Sequence, residues 1–248
     1  VVVTGTSTDK SSLTGTSVSV DADAKEGISS LLIAASGAQY AAVSASVNVN
    51  RQLSDVSAAV DQTEVLGSFA QNANYLGRIT TSAITAAGSQ YAAVPISVVI
   101  NYADNAVSSS VAHSILRAEG QSASVGANRI SEFSSLNVTA SGAMYGAAAG
   151  LVNVNTIEGA TSAEVNDSEV KAGQFSVNAE NEDHLKVTDV TATGAIGSLG
   201  ASVVVSYFKG SSAANLRNSI VTADKLTVSS LQDHYVNGTV AFASGGIG

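Results

Sequence analysis

The sequence predicts an all-β chain, a parallel β-helix (β-solenoid) built from repeats of about 52 residues, and three observations carry that prediction. The first is internal repetition. Gly37, Gly88, Gly142 and Gly194 head similar segments, Ser36-Gly37-Ala38-Gln39-Tyr40-Ala41-Ala42, Ala87-Gly88-Ser89-Gln90-Tyr91-Ala92-Ala93 and Ser141-Gly142-Ala143-Met144-Tyr145-Gly146-Ala147, at intervals of 51, 54 and 52 residues. A second track, Val60-Asp61-Gln62-Thr63, Val111-Ala112-His113-Ser114, Val165-Asn166-Asp167-Ser168 and Leu216-Arg217-Asn218-Ser219, advances by 51, 54 and 51. Two tracks drifting together mean duplication, and duplication on this scale marks a stacked, quasi-one-dimensional architecture.

The second observation is a period of two. Val43, Ala45, Val47 and Val49 alternate with Ser44, Ser46, Asn48 and Asn50, which describes a strand with one apolar and one wet face. Ile96, Val98 and Ile100, then Val152 and Val154, then Ala201, Val203 and Val205 keep that period in later copies. The density of Val, Ser, Thr and Asn disfavours helix. The third observation is that similar strands recur without Asn-Gly or Asp-Gly hairpin signals between them, so each copy is expected to pair in parallel with its equivalent one turn away.

Within a repeat, the alternating strand is followed by a polar stretch and the second track. Short strands such as Phe175 to Ala179 come next, then charged turns such as Asp23 to Gly27 and Glu180 to His184, then a further strand such as Ile79 to Thr85. About four strand segments per repeat result, and two rungs per repeat are favoured over three. Inward positions are expected to hold small and β-branched residues, which stack at the ~4.8 Å strand spacing. Outward Ser, Thr and Asn are expected to form ladders. Tyr40, Tyr91 and Tyr145 are positioned for an aromatic ladder, with Gly197 in the fourth place.

The chain reads as one β-helix fragment, residues 1–248, of a longer repetitive protein. It holds about four and a half repeats, with Gly segments starting near 36, 87, 141, 193 and 244. Only 12% of residues are charged, about half the usual share. A net charge of −9 with scattered Lys and Arg gives no clustered cationic surface, which argues against nucleic acid as a partner. Cysteine is absent, so no disulfide or thiolate metal site exists. No apolar run reaches the ~18 to 20 residues of a spanning helix, and membrane insertion is not expected.

Chemistry-bearing motifs are sparse. Asp183-His184 and Asp233-His234 lie 50 residues apart and could set two Asp-His pairs on adjacent rungs, a weak metal candidate against the reading of solvated turns. No catalytic residue, cofactor or firm metal site is assigned. Gly-x-Ser-x-Gly is absent. Gly245-Gly246-Ile247-Gly248 resembles the start of a calcium nonapeptide only once. Thr6-Ser7-Thr8, Thr14-Gly15-Thr16 and Thr191-Ala192-Thr193 match ice-binding triplets but fall out of repeat register. Asn137, Asn166 and Asn237 head sequons of the kind frequent in Ser/Thr-rich chains.

The phrases Ala35 to Asn50 and Ala140 to Asn155, followed by Ala163 to Ala172 and Phe175-Ser176-Val177-Asn178-Ala179, resemble the repeats of large bacterial exoproteins. These are the filamentous-haemagglutinin-like adhesins, including leukotoxin-type filamentous adhesins, secreted by type V or two-partner routes. The resemblance implies a right-handed β-helix at the bacterial cell surface or secreted from it. It also implies adhesion to a protein or glycan receptor on host or bacterial cells, and end-to-end continuation with further repeats. It supplies no catalytic residues. The alternatives are a polysaccharide-cleaving β-helix, which needs clustered carboxylates in a groove, and a matrix fibre grown from unpaired strand edges.

Overall fold

The computed structural model describes residues 1–6 and 10–245. Of the sequence motifs above, Ser7 and Thr8 of the first threonine triplet and Gly246-Ile247-Gly248 lie outside the described residues. The described chain is an all-β parallel β-helix with ten strands and no helix: β1 (Val2–Thr4), β2 (Ser11–Ala38), β3 (Ala41–Asp61), β4 (Thr63–Ser89), β5 (Ala92–Ala112), β6 (Ile115–Gly142), β7 (Gly146–Asn166), β8 (Glu169–Gly194), β9 (Gly197–Arg217) and β10 (Ile220–Gly245). Odd strands form one five-stranded sheet in the order β1-β3-β5-β7-β9, and even strands form the other, β10-β8-β6-β4-β2. Every ladder is parallel. We call them the odd and even sheets.

Each repeat is therefore one wide coil of two long strands, in place of the two rungs and four strand segments expected. The charged stretches Asp23–Gly27 and Glu180–His184, read as turns, lie inside β2 and β8. A strand with one face in solvent accepts a charge at every second residue, so local charge density did not mark a corner. The real corners are the two repeat tracks. In the second track Gln62, His113, Asp167 and Asn218 take φ of 49°, 49°, 47° and 48°, a left-handed residue at the same point of each coil. The following hydroxyl residue caps the bend. Ser114 Oγ donates to the Ala112 carbonyl at 2.6 Å and accepts the Thr63 N–H at 3.1 Å. Ser168 and Ser219 repeat the arrangement one and two coils on.

The 54-residue interval has a local cause. Leu66 and Phe69 pair with Arg117 and Ala123, so β6 carries three more residues than β4 across this point, looped out at exposed Glu119 to Ser122.

Between the sheets, the interior changes character along the strands. Toward the serine corner it is apolar, with Val60, Val65, Phe69, Val111, Leu116, Val165, Val170 and Phe175 in one cluster. Midway it holds Ile79, Phe133, Ile157 and Leu185. Toward the tyrosine corner the apolar interior thins to the small cluster Ala42, Ala87 and Ala93 with Val99 and Leu151, and hydroxyls and amides fill most of the rest. This reverses the expected phase of the alternating strand. Val47 is 64% exposed and Asn50 only 5%, and Ser44, Ser46 and Asn48 are buried with it. The polar interior is held by hydrogen bonds across and along the sheets. Ser46 bonds Thr85 at 2.6 Å and Ser97 at 3.0 Å, Asn50 donates to Asn101 at 2.8 Å, and Asn101 to Asn155 at 2.9 Å. Buried polar groups paired in this way escape the desolvation penalty that would otherwise turn them outward.

Candidate functional site

Two places gather chemistry, one inside the coil and one on its surface. The inner one arises because β6, β8 and β10 turn polar side chains inward in the middle of the even sheet. Arg129 donates to Asp183 Oδ1 at 2.8 Å, and neither side chain is exposed to solvent. Its Nη1 donates to Ser131 Oγ and to the Glu158 carbonyl, both at 3.0 Å. Asp183 Oδ2 meets His234 Nδ1 at 3.1 Å. Gln232 lies 2.8 Å from His234 Nε2, so with its amide donating there the proton rests on Nδ1, at ion-pair distance from Asp183 but not aligned for a hydrogen bond. Burial pushes the Asp183 carboxyl up, against the pull of Arg129 and His234. Burial also lowers Arg129 from its ordinary value, with Asp183 opposing it. Beyond Arg129, burial and neighbouring Glu26 raise Tyr75. The result is a file of ionisable side chains along the coil axis.

The Asp-His candidates separate in an instructive way. Asp183 pairs in register with His234, 51 residues on, while His184 aligns with Tyr235 and Asp233 with Glu182. Asp183 and His234 face inward; His184 and Asp233 face outward. One Asp-His pair forms, across two copies, in place of one pair within each. His184 sits 3.4 Å from Glu182 and packs on Tyr235 at 6.0 Å between ring centroids. Among the described residues no group of three His, Asp or Glu side chains is placed to hold a metal ion. His113 lies at the serine corner, 2.9 Å from Asp61.

The surface site is a shallow groove of about 430 Å³ on the outer face of the even sheet, lined by Arg78, Glu132, His184, Lys186 and Tyr235 among others. Four of these residues, Arg78, Glu132, His184 and Tyr235, occupy one column of the ladder on four successive coils. Arg78 Nε donates to Glu132 at 2.7 Å. Sequence reading missed this column because its members share no residue type; only the register brings them together. Arg129 was missed for a related reason, since the inward phase is not written in the alternation.

The repeat positions fall at the opposite corner. Tyr40, Tyr91 and Tyr145 stack with ring centroids 5.5 and 5.4 Å apart, tilted by only 13° and 14°, on the exposed rim. The fourth place belongs to Ile196. Gly146 pairs with Gly197, so the fourth corner is one residue shorter than the third, and Gly197 is not the tyrosine equivalent. Gly37, Gly88, Gly142 and Gly194 align in one column. The last three floor a trench of about 740 Å³ along the axis, with Ala86, Ala140 and Ala192 beside them. No family model, curated protein or solved structure matches this chain.

Proposed function

We propose that this chain is a structural and adhesive segment of a large secreted bacterial surface protein, a stalk that also offers a binding surface to host or neighbouring cells. The observation that carries the reading is the uniformity of the coil: strands of 21 to 28 residues pair in register through successive repeats, giving an element that lengthens by adding copies. The groove that combines Arg78, Glu132, His184, Lys186 and Tyr235 is the binding surface in this reading. An aromatic ring beside charged hydrogen-bonding groups suits a glycan with acidic substituents. Sequence resemblance to filamentous-haemagglutinin-like repeats supports the same role and an extracellular location.

Binding of the purified chain to an array of acidic and neutral glycans tests this. Binding reduced at least tenfold by Arg78→Ala or Tyr235→Ala supports the reading, and uniform failure to bind leaves the stalk without its adhesive part. Release of reducing ends from a bound polysaccharide would instead favour the cleaving alternative. That chemistry needs two carboxylates about 5–9.5 Å apart, and Glu132 is the carboxylate among the groove residues named above.

One observation favours the fibre alternative as a second reading. β10 leaves one edge unpaired, with Val228, Val236 and Phe242 exposed on its inward side. Extending the repeat register by one coil would set Lys25 of a second copy over Asp233, and Glu26 over His234. Salt-sensitive end-on growth would mark it.

A further inference from the structure

We infer that the outer face of the odd sheet is a lateral pairing surface for a second copy of this chain, with two coils packed sheet against sheet. This pairing is distinct from end-on stacking and does not depend on the adhesive role.

The argument begins with the inverted interior. In the half of each coil nearest the tyrosines, the space between sheets holds mostly Ser, Thr, Asn and Ala, with Val99 and Leu151 among them. Most of the valines of the same strands stand outside. Val47, Val98, Val152 and Val203 form one column of the ladder, flanked by Val49 and Val205 in the next. Val47 and Val49 are exposed well beyond half and Val203 by about half. Covering its outside would add to the hydrophobic stabilisation of this half of the coil.

Shape and size point to a second copy. Beside the valine ridge the same face dips into a hollow of about 420 Å³, lined by Val94, Gly146, Ala148, Gly197 and Leu199 among others. A ridge and a hollow side by side on one face are self-complementary under a two-fold axis between them, the isologous arrangement of most homodimers. That axis falls near the column Ala45, Ile96, Gly150 and Ala201. Four strands ~4.8 Å apart and some ten residues at ~3.3 Å each make a face of roughly 600 Å². That is close to the ~800 Å² each partner contributes to a standard interface, and paired sheets pack at ~10 Å as in a sandwich. At one margin Arg51, Asp104, Glu158 and Lys209 provide a charged rim; Lys209 donates to Glu158 at 2.7 Å. A lipid surface is the less favoured occupant, because laying this face in hydrocarbon would bring the charged side chains of Asp104, Glu158 and Lys209 against it.

The absence of cysteine allows a direct test. Sedimentation velocity over a hundredfold concentration range is expected to show a monomer–dimer equilibrium. Val98→Lys combined with Val152→Lys is expected to weaken it at least tenfold while leaving the circular dichroism unchanged, since both side chains point outward. Ile96→Cys, near the two-fold axis, is expected to give a covalent dimer with a short bismaleimide, and Ser134→Cys on the even sheet is not. A chain monomeric throughout overturns the inference. So does a dimer indifferent to the lysines, or one cross-linked equally through Ser134→Cys. Co-flotation of a monomeric chain with phosphatidylcholine vesicles would overturn it in favour of a lipid partner.

Discussion

The backbone N–H of Thr63 donates to the side chain of Ser114, 51 residues later, at 3.1 Å, and that same hydroxyl is anchored on the carbonyl two residues before it. A serine in one coil thus caps the bend of the coil before it. The pattern recurs from Ser114 to Ser168 and from Ser168 to Ser219, so one residue per repeat satisfies a backbone donor at each serine corner.

Ser114→Ala leaves the Thr63 N–H buried without a partner. The expected cost is about 1–3 kcal/mol, and Ser134→Ala on the outer face is expected to change stability by less than about 0.5 kcal/mol. Native-state hydrogen exchange checks this site by site: the Thr63 amide should exchange faster in Ser114→Ala while amides two coils away keep their protection.

The left-handed residue before each capping hydroxyl sets a second expectation. Gln62 holds φ near 49°, where an L side chain is strained by about 1–2 kcal/mol and a β-branched one more. Gln62→Val should be less stable than Gln62→Gly by at least about 1 kcal/mol. Urea unfolding of the two variants measures the difference.

Arg129 and Asp183 are paired without solvent, so truncating one strands the other. Arg129→Ala is expected to destabilise by about 3–5 kcal/mol, far more than Arg78→Ala, whose pair with Glu132 lies in solvent and contributes little. Thermal unfolding of the two variants side by side gives the comparison.

Acid titration has a defined sign at Asp189. Burial holds its carboxyl above the ordinary 3.8, against hydrogen bonds from Asn137, Asn153 and Ser202. The fold therefore prefers the protonated form. Its contribution is complete below about pH 3.8 and is lost as pH rises through the folded-state value. The stability difference between wild type and Asp189→Asn should accordingly favour wild type most at low pH and shrink toward neutrality. A flat difference between pH 3 and 7 would remove Asp189 from the account.

The repeat made the stacking axis legible. Gly37, Gly88 and Gly142 align in the ladder as their spacing implied, and the track of Thr63 and Ser114 proved to be a corner. The inward phase was not legible, because alternation defines two faces without saying which one faces the partner sheet. The usual rule that valine points inward fails where Asn50, Asn101 and Asn155 bond one another along the axis. The coil width was hidden as well, since residues such as Asp23 and Glu182 look like turn charges until a strand of 26 to 28 residues is seen to carry them outward. The Arg129–Asp183–His234 file depends on both unknowns, which is why Asp183 and His234 were singled out without Arg129.

One repeat makes one coil, and the distance between Ser57 and Ala213 reports it. The two lie in the same column three coils apart, through Ser108 and Ser162. With spin labels on Ser57→Cys and Ala213→Cys, the expected separation is ~14 Å, three spacings of ~4.8 Å. A separation near 29 Å, six such spacings, would mean two rungs per repeat and contradict it.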